Sequence, residues 1–346
     1  MVELAGPATT LVSVCLLRGQ PSLRVVQQGM KALVTGGAGF IGSHLAEALC
    51  RRGVEVVVAD DLSLGTLENL KWRRPGEALQ VIQGDLADAE VRRQAVAGCD
   101  WVFHQAAIPS VPWSIAHPAE SHRANLDVAL GVFLAAREAG VKRVVFASSS
   151  AVYGDTATPE KRENDPPQPL SPYALQKYAA ERYGQMLHEF HGFEVVSLLY
   201  FNVFGPRQSF DSPYSGVIAK FCTQALAGEV PTVFGDGRQT RDFIYVENAV
   251  DANLRAVEAP AGRVAGRVFN VAGGESVTLL DLLAELNRLT GRESVPLFAP
   301  ARPGDVRASR ADLAAAADEL GWRVRVPWRA GLARTLAYYR SETAGG

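Results

Sequence analysis

Short aliphatic and β-branched runs recur along the first two hundred residues, each separated from the next by a stretch whose apolar positions repeat every three to four residues. The runs are ALVT (32–35), VEVVVA (54–59), LQVIQG (79–84), WVFHQ (101–105), RVVFAS (143–148) and EVVSLLY (194–200). Between them SHLAEALCRR (43–52), the stretch 118–138 and the stretch 173–191 carry helical periodicity. Nearly unbroken apolar strands alternating with helices predict a doubly wound parallel sheet covered on both faces. The first strand, Lys31 to Thr35, follows Met30 directly. After Phe201 the rhythm loosens: GPRQSFDSPYSG is turn-rich, a helix follows over about 217–227, and short strands alternate with loops as far as Arg310. That pattern predicts a smaller C-terminal α/β domain over the carboxyl ends of the sheet, where open α/β sheets bind ligands. The segment RDFIYVENAVDANLRAVEA returns to the large domain. The predicted division is therefore 30–201 plus about 241–271 against about 202–240 plus 272–346, with 1–29 as an extension.

The run TGGAGFIG sets Gly36, Gly39 and Gly42 directly after the first strand and at the opening of a helix. In that context the glycines let backbone N–H groups approach a pyrophosphate, and the helix start adds positive potential. This is a Rossmann-type dinucleotide site, lined further by Phe40 and Ile41. Asp60, ending the second strand eighteen residues after Gly42, suits both ribose hydroxyls of NAD and repels a 2′-phosphate. Arg51 and Arg52 stand near enough to leave NADP open. Asp61 either shares the ribose or forms a turn with Leu62 and Ser63. Asp85, with Leu86 beside it, either reaches the adenine or is a solvated strand-end carboxylate.

Tyr173 and Lys177 lie four apart on a predicted helix downstream of Ser148, Ser149 and Ser150. That spacing puts both on one face. A free tyrosine titrates near ~10, and a nearby ammonium, an oxidised nicotinamide and the helix start are all expected to favour the phenolate. Ser171 and Pro172 read as N-cap and first helical residue.

Composition narrows the classes. With 346 residues, 47% apolar and 21% charged, the chain can build a large core without staples. A net charge of −2 with no dense basic cluster gives no electrostatic ground for nucleic acid or an anionic membrane surface. The four cysteines, Cys15, Cys50, Cys99 and Cys222, are scattered without zinc or disulfide spacing, so reduced structural thiols, no metal and a cytoplasmic protein are expected. The apolar stretch ATTLVSVCLL lacks a basic leader and does not read as a signal peptide. No run approaches the ~20 apolar residues of a membrane span.

Together TGGAGFIGSHL, ADDLS, GDLAD, HQAAIPSVPWSI, FASSSAVYGD, SPYALQKYAAE, YFNVFGPRQ, GDGRQTRDFIYV and RPGDVRASRAD resemble the extended short-chain dehydrogenase/reductases. Within them the chain is most similar to the NAD-dependent nucleotide-sugar epimerases acting on UDP-glucose and UDP-N-acetylglucosamine at C4. The resemblance runs from about Lys31 to Tyr339. It implies Tyr173 as proton acceptor, Lys177 as its partner and Ser149 as the hydroxyl bridging sugar O4 and Tyr173. Ala106, Ala107, Ile108 and Asn125 would border NAD. Ser148 and Ser150 either cap backbone or contact the sugar ring, Asn202 and Arg241 contact the UDP diphosphate or adjoining sugar, and Arg302 and Asp305 hold diphosphate and uridine ribose. For Arg241 the alternative is an ion pair with Asp242 or Glu247. Ser309 stands where a small residue leaves room for an acetamido group. The large domain would then bind NAD and the small one the UDP-sugar, in a homodimer joined by the helices of about 118–139 and 173–191. Dehydratases on this scaffold carry an Asp-Glu pair where this chain has Ser150 and Ala151, and UDP-glucuronate decarboxylases carry Glu at Ala151, so elimination lacks its acid and base. UDP-glucuronate 4-epimerisation is the alternative reaction. A non-catalytic NAD sensor or scaffold is the alternative without chemistry.

Overall fold

The computed structural model describes residues 29–156, 158, 160–210, 216–301 and 306–345. Residues 1–28, hence nearly all of the extension, and the candidates Arg302 and Asp305 lie outside the described residues. Seven strands, β1 (Lys31–Thr35), β2 (Glu55–Asp60), β3 (Leu79–Gln83), β4 (Trp101–His104), β5 (Arg143–Ser149), β6 (Glu194–Tyr200) and β7 (Val268–Val271), form one sheet. Their order is β7-β6-β5-β4-β1-β2-β3, and every neighbouring pair is parallel. Central strands such as β1 and β2 are buried over nearly their whole length, as coverage on both faces requires, whereas the edge strand β3 exposes three of its five residues. β7 is not among the six runs of the sequence pattern. Its four residues, VFNV, include a buried Asn270 that interrupts the apolar signal.

Helices Phe40–Cys50 and Val246–Glu258 cover one face through Leu45, Leu49, Ala249 and Leu254. Helices Ala89–Val96, Val128–Glu138 and Pro172–His191 cover the other through Val96, Phe133, Ala180 and Leu187. The stretch expected to be helical over 118–138 is helical throughout, as Pro118–His122, a π turn at Arg123–Asp127 and Val128–Glu138, and a separate short helix, Val111–Ala116, precedes it. Pro118 explains the boundary between Val111–Ala116 and Pro118–His122, because its ring suits a first turn and not a helix interior. The tyrosine helix begins as its sequence indicated, with Ser171 capping Ala174 N–H and Pro172 in the first turn, and it ends on the left-handed Gly192.

Beyond Phe201 the chain builds small paired strands. Asn202–Phe204 pairs with Phe243–Tyr245, Thr232–Phe234 with Leu297–Ala299, Thr240–Arg241 with Val277–Thr278, and Glu160–Lys161 with Arg310–Ala311. They sit among helices Val217–Ala227, Leu279–Thr290 and Trp328–Gly345. Among the described residues no helix is long and apolar enough to cross a membrane.

Candidate active site

Chain order reverses between β1 and β4, which lie side by side with Thr35 opposite His104. The crevice beyond such strand ends is where an open sheet takes a ligand, and a cavity of about 1260 Å³ opens there. Gly36, Gly39, Phe40, Ile41 and Gly42 form its floor. Gly36 has φ of +63°, and a Cβ on it would stand 2.8 Å from the Ala106 backbone. A Cβ on Gly42 would stand 2.1 Å from the Gly36 carbonyl oxygen. Only glycine fits either position, and the reason is close backbone approach. Gly39 caps helix Phe40–Cys50 without a side chain, and no acidic residue occupies the first turn. The amide donors at that helix start are therefore left for an anionic ligand.

Asp60 is 6% exposed and accepts from Ala38 N at 2.9 Å and Leu62 N at 2.8 Å. Each carboxylate oxygen retains a further acceptor site for a ribose hydroxyl. Burial raises its pKa, with the Leu62 and Ala38 N–H groups opposing. Asp61, exposed and lining the cavity, accepts from Ser63 N at 2.9 Å and Ser63 Oγ at 2.6 Å, so the local turn is formed. Asp85 also borders the cavity, but one oxygen accepts from Ala87 N and the other pairs with Arg123 at 2.7 Å. Leu86, Ala106, Ala107 and Ile108 line the wall. Asn125 is placed differently: 1% exposed, it accepts from Ile108 N at 2.8 Å and donates back to Ile108 O. It borders the cofactor region by fixing the wall from behind, and the π turn that carries it supplies the reach. His104 is a packed strand-end residue, with Nδ1 2.7 Å from Thr35 Oγ1.

Tyr173, Lys177 and Ser149 all line the far side of the same cavity. The Tyr173 hydroxyl is hydrogen-bonded to Ser149, and Ser149 Oγ also accepts from Ala151 N at 3.2 Å. Lys177 Nζ donates to Ala147 O at 2.8 Å and lies 6.0 Å from the centre of the Tyr173 ring. The expected lowering of the tyrosine pKa does not occur in the protein by itself. Burial pushes the phenol up to about 12, with only the Ser149 bond opposing. Burial also pulls Lys177 down to about 7, with Glu181 opposing. The helix start contributes little because its amides are taken: Ser114 Oγ accepts from Tyr173 N and Ser171 Oγ from Ala174 N, each at 3.2 Å. A cationic ligand beside the ring would favour the phenolate and so help make a base of Tyr173.

On the sugar side the structure gathers fewer of the expected residues. Ser150 opens a short 3-10 turn behind Ser149. Asn202 donates to the Asp242 carbonyl at 3.3 Å. Arg241 donates to Thr240 O and Val306 O. Asp242 accepts from Gly273, Gly274 and Ala311 N–H groups, and Glu247 pairs with Arg334. Ser309 is half-buried just before Arg310–Ala311. Ser150, Asn202, Arg241 and Ser309 do not line the cavity as it stands. Sequence reasoning gave no role to Ser114, although it lies within HQAAIPSVPWSI, or to Glu181, which the i, i+4, i+8 spacing from Tyr173 and Lys177 could have flagged.

Comparison with known proteins bears on this geometry. Residues 32–272 match the model of the NAD dependent epimerase/dehydratase family. A UDP-glucose 4-epimerase of Mycolicibacterium smegmatis is 37% identical over 318 residues, covering 91% of this chain and 100% of the relative. The structure of a UDP-N-acetylglucosamine 4-epimerase from Methanobrevibacter ruminantium M1 in complex with UDP-N-acetylmuramic acid superposes with a TM-score of 0.86 at 38% identity, over 91% of this chain and 100% of that one. A UDP-glucuronic acid 4-epimerase from Bacillus cereus, solved with UDP-4-deoxy-4-fluoro-glucuronic acid and NAD, superposes at 0.84 with 30% identity, over 90% and 100%. The glycine cradle, the uncapped helix start and the buried acceptor Asp60 fit the pyrophosphate and ribose of NAD. The chain belongs to the NAD-dependent epimerase/dehydratase family.

Proposed function

We propose that the protein is an isomerase, a UDP-hexose 4-epimerase that interconverts UDP-glucose and UDP-galactose and also accepts the N-acetylated pair. The observation that carries the reading is that one cavity holds the glycine cradle at one end and the bonded Tyr173–Ser149 pair with Lys177 at the other. Gly36, Gly39, Gly42 and the start of Phe40–Cys50 would hold the pyrophosphate of NAD, Asp60 its adenine ribose, and Lys177 its nicotinamide side. NAD supplies a reversible hydride acceptor, so that a C4 alcohol can become a 4-keto sugar and return with either configuration.

Tyr173 takes the C4 hydroxyl proton and later gives it back. Ser149 lies between substrate oxygen and phenol and passes its hydrogen bond from one to the other. With NAD bound, a protonated Lys177 would favour the phenolate against the burial that otherwise keeps the phenol protonated. Ser150 and Ala151 supply no acid-base pair for eliminating water. Residues of about 202–240 and 272–346, with Asn202, Arg241, Arg302 and Asp305, would grip UDP, so that the sugar can present either face; Ser309 would leave space at C2. Concentrating binding on the nucleotide rather than the hexose suits a reaction whose two ground states differ at one carbon.

We place the protein in a homodimer. Leu175, Tyr183, Met186 and Phe190 are 40–69% exposed along one face of Pro172–His191, an apolar stripe that a second copy would cover.

The deciding test incubates the purified protein separately with UDP-glucose, UDP-N-acetylglucosamine and UDP-glucuronate, and follows the C4 configuration by NMR. Galactose- and N-acetylgalactosamine-configured products are expected. Turnover of UDP-glucuronate alone would transfer the assignment to the uronate, and an inert protein would favour a sensor or scaffold.

A further inference from the structure

Glu181 is a buried acid for which the proton-transfer scheme above has no use. It is 5% exposed and lies one turn beyond Lys177 and two beyond Tyr173 on Pro172–His191, so the three share a face. The Ser148 hydroxyl donates to Glu181 Oε1. Ser148 follows Ala147, whose carbonyl accepts from Lys177 Nζ. Two successive residues at the end of β5 thus seat two side chains from successive turns of the tyrosine helix.

The surroundings of Lys177 are otherwise poor in negative charge. Its Nζ stands 4.9 Å from the centre of the Phe146 ring. His104, stacked on the same ring, is held neutral by burial. Glu181 in turn is faced by Ser148, Lys177, the phenol of Tyr153 and the exposed Arg182. A buried ammonium or carboxylate costs several kcal/mol unless charge or hydrogen bonds answer it. Burial drives the Lys177 pKa down and the Glu181 pKa up, and each group's charge opposes the shift of the other.

We propose that Glu181 is a positioning residue for Lys177: anchored by Ser148, it is the buried counter-charge that keeps the ammonium protonated and seated on Ala147 beside Tyr173. The proposal rests on the reading of Tyr173 and Lys177 as the reacting pair.

Glu181→Gln preserves size and an acceptor for Ser148 while removing the charge. In the holoenzyme, 13C NMR of the lysine Cε, with Lys177→Met to assign the signal, should show the Lys177 titration moving down by about one unit. The kcat profile should move with it, costing about tenfold at pH 8 with KM unchanged, and activity should recover towards pH 6. Ser148→Ala should shift the titration the same way by less. An unmoved Lys177 titration in Glu181→Gln, with only the melting temperature changed, would overturn the proposal. Should that variant not fold, an unmoved titration in Ser148→Ala does the same. Because the titration needs no turnover, a wild-type protein inert towards every UDP-sugar would count against the epimerase reading and leave this test standing.

Discussion

Tyr173 shares a hydrogen bond with Ser149 while burial holds its phenol at about 12, well above any operating pH. The pair is assembled before substrate arrives, but the proton is not yet easy to exchange. Replacing Tyr173 by Phe removes the acceptor without enlarging the cavity. Turnover should fall by about 10²–10⁴-fold, and NAD released on denaturing the purified variant should match the wild type. Near-normal kcat would remove Tyr173 as the proton acceptor.

Gly42→Ala tests the cradle. The new Cβ would press the Gly36 carbonyl at 2.1 Å, a backbone contact that no rotamer relieves. Overpacking of this kind costs about 1–3 kcal/mol, and here it distorts the turn that faces pyrophosphate. NAD retention should drop by roughly tenfold or more, with the circular dichroism spectrum unchanged. Full retention would show that the loop's close approach is not what holds the cofactor.

The fold was legible because parallel strands buried on both faces leave unbroken apolar runs. VVVA and VVFA stand out where VFNV, with Asn270 buried and bonded to Tyr153, does not. The glycine loop and the Tyr173–Lys177 spacing are local, so sequence order alone carried them. Interactions across long stretches of chain were silent: Ser114 meets Tyr173 N–H from 59 residues away, and Ser148 meets Glu181 from 33. The upward pull of burial on the Tyr173 phenol was not legible either, since sequence shows which cations are near but not how deeply a group is buried.

The exposed stripe on Pro172–His191 gives an assembly prediction. Paired Met186→Asp and Phe190→Asp changes, at positions 40% and 69% exposed, place charge where a second copy would bury apolar surface. Sedimentation should show dimers for the wild type and monomers for the double variant. A wild-type monomer, or a double variant that stays dimeric, would contradict the assignment of this face.

His104 predicts how stability depends on pH. It is 1% exposed, and burial next to Lys177 lowers its pKa to about 3. Thr35 Oγ1 accepts from Gln105 N and Ala106 N and so gives its own proton to Nδ1, leaving the ring proton on Nε2. Between pH ~6.5 and about 3 the unfolded chain binds a proton that the folded one refuses, so stability is full above that window and is lost as pH falls through it. The loss amounts to a few kcal/mol. Urea unfolding at pH 7 and pH 4.5 should show a smaller difference for His104→Asn than for the wild type. Equal differences would mean that other groups carry the acid sensitivity.

Asp60 sets which dinucleotide fits. Both its oxygens already accept a backbone N–H, so the carboxylate is held rigidly at the end of β2 with acceptor capacity turned to the cavity. A hydrogen bond to a charged group is worth about 1.5–3 kcal/mol, so Asp60→Asn should weaken NAD by about 10- to 150-fold, as read by calorimetry on protein stripped of nucleotide. NADP should weaken far less, because the same change removes the repulsion of its 2′-phosphate. The NAD-to-NADP preference must then narrow by more than a uniform loosening of the loop could produce. Parallel losses for both dinucleotides would instead assign Asp60 to holding the Ala38 and Leu62 turns, and selectivity would have to come from the arginines nearby.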